Sequence, residues 1–249
     1  MKHLRLLPFL LLIVVIVSSC RSSRIPSEGN NSSMLTSKRA LSEALLNEIT
    51  RNPINTYLSK NAVANVSFNG SSHSVKLNLY FEYSKKTVGI ARLAFPPLMV
   101  GKLTMDTKNV SVNSSLLNVN KDFTLPFDIS TFLHDAIVGR VPAVYNLYGD
   151  SDFSAFNMSI TSDNLYLISR KSNGLDVKLY INPDLTLHSY TISYLSYIVS
   201  HVNNSFDTFD GRHLPNDITL SVVLPGATQP TSTNFQFSKI TINGTDKLN

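Results

Sequence analysis

The chain has no tryptophan and a single cysteine, Cys20, in 249 residues. One thiol excludes an internal disulfide and any zinc site built mainly from cysteines. Without tryptophan, nothing in the composition supports stacking on sugar rings. Charge is scarce as well, at 16% of residues, and its formal net value is +5. No stripe of Lys and Arg with interleaved aromatics occurs, so nucleic acid is not an expected partner. Long apolar runs are absent except at the start, where Leu6–Val17 carries no charge. A helix needs roughly 20 such residues to cross a hydrocarbon core, and this run is shorter.

What is present at that start is a targeting pattern. Lys2 and Arg5 precede the apolar run, and the small residues Ser18 and Ser19 follow it. This is the layout of a secretory signal. Val17-Ser18-Ser19-Cys20 resembles a bacterial lipobox, in which the thiol is diacylated and cleavage makes Cys20 the mature N-terminus. The only cysteine thus stands at the one position where that chemistry needs it. The alternatives are an ordinary signal with an incidental cysteine, or an uncleaved anchor. On the lipobox reading, residues 1–19 are a signal peptide, and the membrane is a partner through lipidated Cys20. Residues 20–33 are polar and aperiodic and form a tether, and residues 34–249 form the folded domain. By analogy with sorting rules, Arg21 permits delivery to the outer membrane, where the domain would face the periplasm. Without Lys2 and Arg5 the balance is 20 basic against 17 acidic residues, a mild charge.

Along the domain, Leu41, Leu45, Leu46 and Ile49 recur at helical spacing between a Thr36 or Ser37 cap and Pro53. They predict an amphipathic helix over 36–51. From residue 62 the period becomes two, and eleven strand-like runs follow. The run "DISTFLHDAIVG" interrupts them, predicting a short helix over 129–138 that Gly139 closes. The predicted fold is mainly β (α+β), a curved antiparallel sheet of about ten to eleven strands, and the resemblance described below implies that it forms an incomplete β-barrel. One face of two strands supplies candidate cavity-lining residues: Val75, Leu77, Leu79 and Phe81, then Val88, Ile90 and Leu93. These line either a cavity or a filled core. Residues 94–101, "AFPPLMVG", form an apolar connection where connections are normally polar. They are either a hairpin tucked over the core or an exposed finger that presents Leu98 and Met99 for contact.

The order of elements from 95 to 142 carries a resemblance. "FPPLMVGKLTMDTKNVSV" is an apolar Pro-Leu turn, a strand, a turn and a strand, and "DFTLPFDISTFLHDAIVGRVP" adds a short helix ending in "IVGRVP". This resembles the LolB family of outer-membrane lipoprotein receptors, and related Bacteroidetes lipoproteins of unknown function. The later "LPNDITLSVVL" and "FQFSKITI" match that family's closing strand pair. The chain departs from LolB in lacking tryptophan, in having His134-Asp135 where an aromatic is usual, and in an apparent insertion at 193–213. The resemblance implies a half-barrel of the LolA/LolB type whose concave face, covered by helices, holds acyl chains or acylated proteins. Leu77, Leu79, Phe81, Val88, Ile90, Leu98 and Met99 are then its candidate ligand contacts, and a monomer is expected.

Two other classes compete. "YGDSDF" and "DGRH" place Ser151, Asp210 and His213 in the order of a GDSL-type esterase. That chemistry needs Ser151 on a strand-to-helix turn early in an alternating α/β chain, and strands follow here instead. No catalytic role is therefore expected. Asp150 and Asp152 lack the Gly and closing Glu of a calcium loop. His73, His134, His188 and His201 have no metal-ligand spacing, so neither metal nor cofactor is expected. The remaining class is a scaffold lipoprotein that contacts another envelope protein through a sheet edge or the apolar finger.

Overall fold

Ser37 starts the first helix, α1 (Lys38–Arg51): its Oγ accepts from Ala40 N at 3.1 Å, satisfying one of the helix's first free amides. Leu41 and Leu45, four apart and so on one face, are buried by that helix. The computed structural model describes residues 34–51, 53–68, 71–83, 85–93, 98–114, 119–124, 129–141, 155–172, 174–194, 196–223 and 230–248. Residues 1–33 lie outside these, and with them Cys20, the signal and the tether.

Six strands follow as an antiparallel meander: β1 (Thr56–Phe68), β2 (Ser71–Glu82), β3 (Lys86–Arg92), β4 (Met99–Asp106), β5 (Asn109–Ser114) and β6 (Val119–Thr124). The second helix, α2 (Ile129–Ile137), comes next. A second meander holds β7 (Asn157–Ile160), β8 (Tyr166–Ser172), β9 (Leu175–Ile181) and β10 (Leu187–Tyr194). It continues through β11 (Tyr197–Phe209), β12 (Arg212–Val223) and β13 (Thr231–Gln236), and β14 (Ile240–Ile242) pairs with β1. The β1–β13 ladder joins the two meanders into one sheet in the order β6-β5-β4-β3-β2-β1-β13-β12-β11-β10-β9-β8-β7. The sheet is curved, antiparallel and not closed, with β6 and β7 at its ends.

The described residues form fourteen strands, against the ten or eleven expected from the sequence. β6 was not foreseen. The last run divides into β13 and β14, and the run from 185 to 198 folds back on itself at Tyr194–Tyr197. Ser196 has φ 68° there, a left-handed conformation uncommon outside Gly and Asn, so a mostly apolar run still makes a turn. The segment 193–213 lies within the sheet. It contains β11, which pairs with β10 and β12 inside the sheet.

Both helices lie on the concave face. α1 places Leu41 and Leu45 in a core with Tyr166, Ile168, Leu179, Ile181, Leu187 and Tyr190. α2 adds Phe132 and Ala136 to that core and borders the next one, around Tyr57, Leu79 and Phe81. Gly139 ends α2 as the sequence suggested. Gly139 N donates to Ala136 O (3.1 Å) and Arg140 N to Asp135 O (2.8 Å), a Schellman closure that requires its φ of 73°. A Cβ at Gly139 would lie 2.8 Å from Phe206 Cε1, so this position also excludes a side chain.

Candidate functional site

Directly opposed residues of an antiparallel pair share a face, so register assigns each side chain. Leu77, Leu79 and Phe81 pair with Ala91, Gly89 and Thr87. Gly89 and Ala91 pair in turn with Leu103 and Gly101 of β4. This part of the concave face is therefore walled by Gly89, Ala91 and Gly101 among leucines. Where side chains are this small, space remains. An apolar cavity of about 110 Å³ opens there, with α2 side chains Leu133 and Ile137 in its wall and Phe235 and Phe237 on its far side.

Two contacts pin α2 beside this cavity. His134 Nε2 and Thr87 Oγ1 are 2.6 Å apart, with the imidazole stacked on Phe81 at 4.1 Å. Tyr83 Oη donates to the buried Asp135 at 2.8 Å. Burial holds the Arg140 guanidinium below its usual range, and the nearby Asp135 charge opposes that shift. His134-Asp135, the departure noted in the sequence, thus ties the helix to β3 and to the turn before it.

The sequence-predicted site residues divide. Leu77 and Leu79 line the cavity. Phe81 shares their face but is fully buried, stacked between Tyr57 and His134. Val88 and Ile90 are a correction: they pair with Tyr80 and Asn78, on the opposite face. The three residues between Glu82 and Lys86 pair odd positions with odd ones, a parity that sequence alternation alone does not reveal. Leu98 and Met99 are exposed, at 57% and 56% of their surface. Pro96 and Pro97 lie outside the described residues.

Leu98 and Met99 sit where β3 turns into β4, with Leu93 N donating to Leu98 O. Followed through the register, this turn and the β10–β11 turn point to the same end of the sheet. Tyr194 and Ile198 are exposed at the second turn, so four large apolar side chains face water at one end. The opposite end holds a larger crevice of about 310 Å³, where apolar Leu45, Ile54, Val138 and Leu214 alternate with charged Glu48, Arg140, Asp184 and Arg212. Hydrocarbon there would desolvate those charges.

For the esterase reading, Ser151 lies outside the described residues. Asp210 accepts from Ile242 N at 3.1 Å, and His213 stacks on Phe206 at 5.0 Å, both at the β11–β12 turn. Asp210 therefore has a structural occupation, fastening β14. Among the described residues no three His, Cys, Asp or Glu side chains group as metal ligands. Nor is any helix among them long and apolar enough to cross a membrane.

Sequence reasoning missed a polar pair in this apolar face, His201 and Asn203 on β11, each 3% exposed. Their spacing of two within a strand was the available signal, since it puts both on one face.

No family model matches the chain, and no curated protein does. Solved structures do. A LolA superfamily protein of Nitrosomonas europaea is 10% identical with a TM-score of 0.51, over 82% of this chain and 94% of that one. A DUF1329 family protein of Desulfovibrio piger is 10% identical with a TM-score of 0.55, over 84% and 94%. A domain assigned to outer membrane lipoprotein sorting in Vibrio parahaemolyticus is 9% identical with a TM-score of 0.50, over 84% and 94%. The fold of this chain is that of the LolA/LolB-like proteins.

Proposed function

We propose that this protein is a lipid-anchored, periplasm-facing lipoprotein of the outer membrane that holds acyl chains, free or on a lipoprotein, in its concave face. The observation that carries this is the apolar cavity left by Gly89, Ala91 and Gly101 beside Leu133 and Ile137 of α2. The likeness of fold to proteins described by lipoprotein sorting supports it. At about 110 Å³ the cavity is below the 300–1,000 Å³ usual for small-molecule sites. It receives a short length of chain. The role is binding rather than catalysis.

The exposed Leu98, Met99, Tyr194 and Ile198 would supply apolar contacts at the end of the sheet through which a chain passes between membrane and cavity. Lys76 and Arg92, exposed and directly opposed across β2 and β3 beside Met99, would meet acidic headgroups there. Acylated Cys20 would hold the domain at the membrane, because each buried methylene contributes about 0.8 kcal/mol.

The test is to release the full chain from envelope membranes in mild detergent and analyse what it carries. A stoichiometric acyl chain or acylated peptide, lost in Gly89→Val, supports the proposal. A bound protein with no lipid supports the scaffold alternative instead. The mass of the mature N-terminal peptide tests Cys20: diacylglyceryl modification is expected, and an unmodified thiol or another cleavage site contradicts the anchor.

A further inference from the structure

Of the side chains lining the cavity, two are polar, Thr87 and His201. Thr87 is engaged by His134. His201 has a more informative arrangement. Asn203 Nδ2 donates to Leu187 O at 2.7 Å, and a carbonyl oxygen can only accept. This fixes the amide with its Oδ1 toward His201, whose Nε2 lies 2.8 Å away. Oδ1 also only accepts, so Nε2 carries the hydrogen. Burial pushes the imidazole pKa down to about 4, which leaves the ring neutral at pH 7. Nδ1 therefore keeps a lone pair and no proton, and it has no hydrogen-bond partner among the described residues.

The ring is held in place for use. Tyr190 stacks on it at 4.9 Å and 15°, which sets the ring plane and leaves bonding to its edge. A second polar group stands on the same wall. Thr233 pairs with Leu220, and Leu220 with His201, so all three share the concave face. Thr233 is fully buried, and its hydroxyl has no partner among the described residues. Burying a hydroxyl unpaired, as at Thr233, is costly.

We propose that the acyl ligand carries a hydrogen-bond donor, a hydroxyl or an amide N–H, which His201 Nδ1 accepts inside the apolar chamber. This rests on the acyl-binding reading of the same cavity. A plain hydrocarbon leaves Nδ1 unpaired, and an ester carbonyl brings a second acceptor against it. A site built to complete a buried hydrogen bond rejects analogues that lack the matching group.

The experiment gives the full chain an equimolar mixture of methyl palmitate, methyl 3-hydroxypalmitate and palmitamide, then reads bound masses by native mass spectrometry. The hydroxylated ester and the amide should be retained about five- to tenfold over methyl palmitate, the scale of one neutral hydrogen bond. Preference for only one of them upholds the proposal and identifies the donor. His201→Phe should erase the preference and His201→Gln, which can both donate and accept, should keep it. If His201→Phe does not fold, the imidazole nitrogen resonances of the wild-type chain decide. The Nδ1 signal should move with the hydroxylated ester and stay with methyl palmitate. Equal retention of all three overturns this inference and leaves acyl binding standing. Retention of none overturns acyl binding itself, and the inference with it.

Discussion

The concave face is one continuous sheet, yet its two regions are packed differently. Under α1, Tyr166, Ile168, Leu179, Ile181, Leu187 and Tyr190 fill the space completely, and none is more than 4% exposed. Beside α2, the wall positions Gly89, Ala91 and Gly101 leave a cavity. The backbone is the same kind of surface in both places. What differs is side-chain volume. A Cβ built on Gly89 would have its nearest neighbours at 3.7–4.0 Å, an ordinary contact, so space rather than crowding surrounds this glycine. The first region supplies stability, and the second gives up packing for room.

The largest expected effect tests that division directly. Leu179→Ala in the filled region should cost about 2–5 kcal/mol by urea unfolding. Leu103→Ala, beside the cavity and only half-buried, should cost under about 2 kcal/mol. Equal losses would erase the distinction.

Next in size is a pH effect at the boundary of the regions. Burial lowers the folded pKa of His201 to about 4, below the 6.5 of an unperturbed imidazole. Between those values the unfolded chain binds the extra proton, so stability falls as pH drops from 6.5 toward 4 and is unaffected by this group above 6.5. The loss should approach about 3 kcal/mol at the acid end. Unfolding midpoints at pH 7 and 4.5 for wild type and His201→Gln isolate it, because carboxylates titrate alike in both proteins. The same slope in both would show that His201 is not buried neutral.

Much of this arrangement can be read in the sequence, and the gaps have physical causes. Leu41, Leu45 and the Ser37 cap announce α1, and Gly139 marks the end of α2, because these signals are local. Leu77, Leu79 and Phe81 fall on one face because alternation within a single strand is also local. Val88 and Ile90 were assigned to the wrong face because parity across a turn depends on how the turn closes. The fold-back at Tyr194–Tyr197 was hidden by apolar residues, with Ser196 in a left-handed conformation that its identity does not announce. The cavity itself depends on which small residues meet across β3 and β4, and only register brings Ala91 opposite Gly101.

Smaller effects on stability should accompany large effects on binding. Gly89→Val adds volume toward the cavity and should change folding stability by no more than about 1–3 kcal/mol. Capture of a fluorescent fatty acid should fall at least tenfold in the same variant. A normal affinity would place the ligand elsewhere. At the turn between β3 and β4, Leu98→Ser with Met99→Ser should move stability by less than about 0.5 kcal/mol, because both residues are already exposed. Uptake from vesicles should slow, and a large fall in the unfolding midpoint would instead make this turn part of the core.

The most direct test of the central claim is to photolyse the full chain with palmitates carrying a diazirine at successive positions along the chain and to map the adducts by peptide mass. The account expects adducts on Leu79, Leu133, Ile137 and Phe235, which meet at the cavity. Adducts confined to Leu98, Met99 and the outer surface, with none on those four, would contradict it.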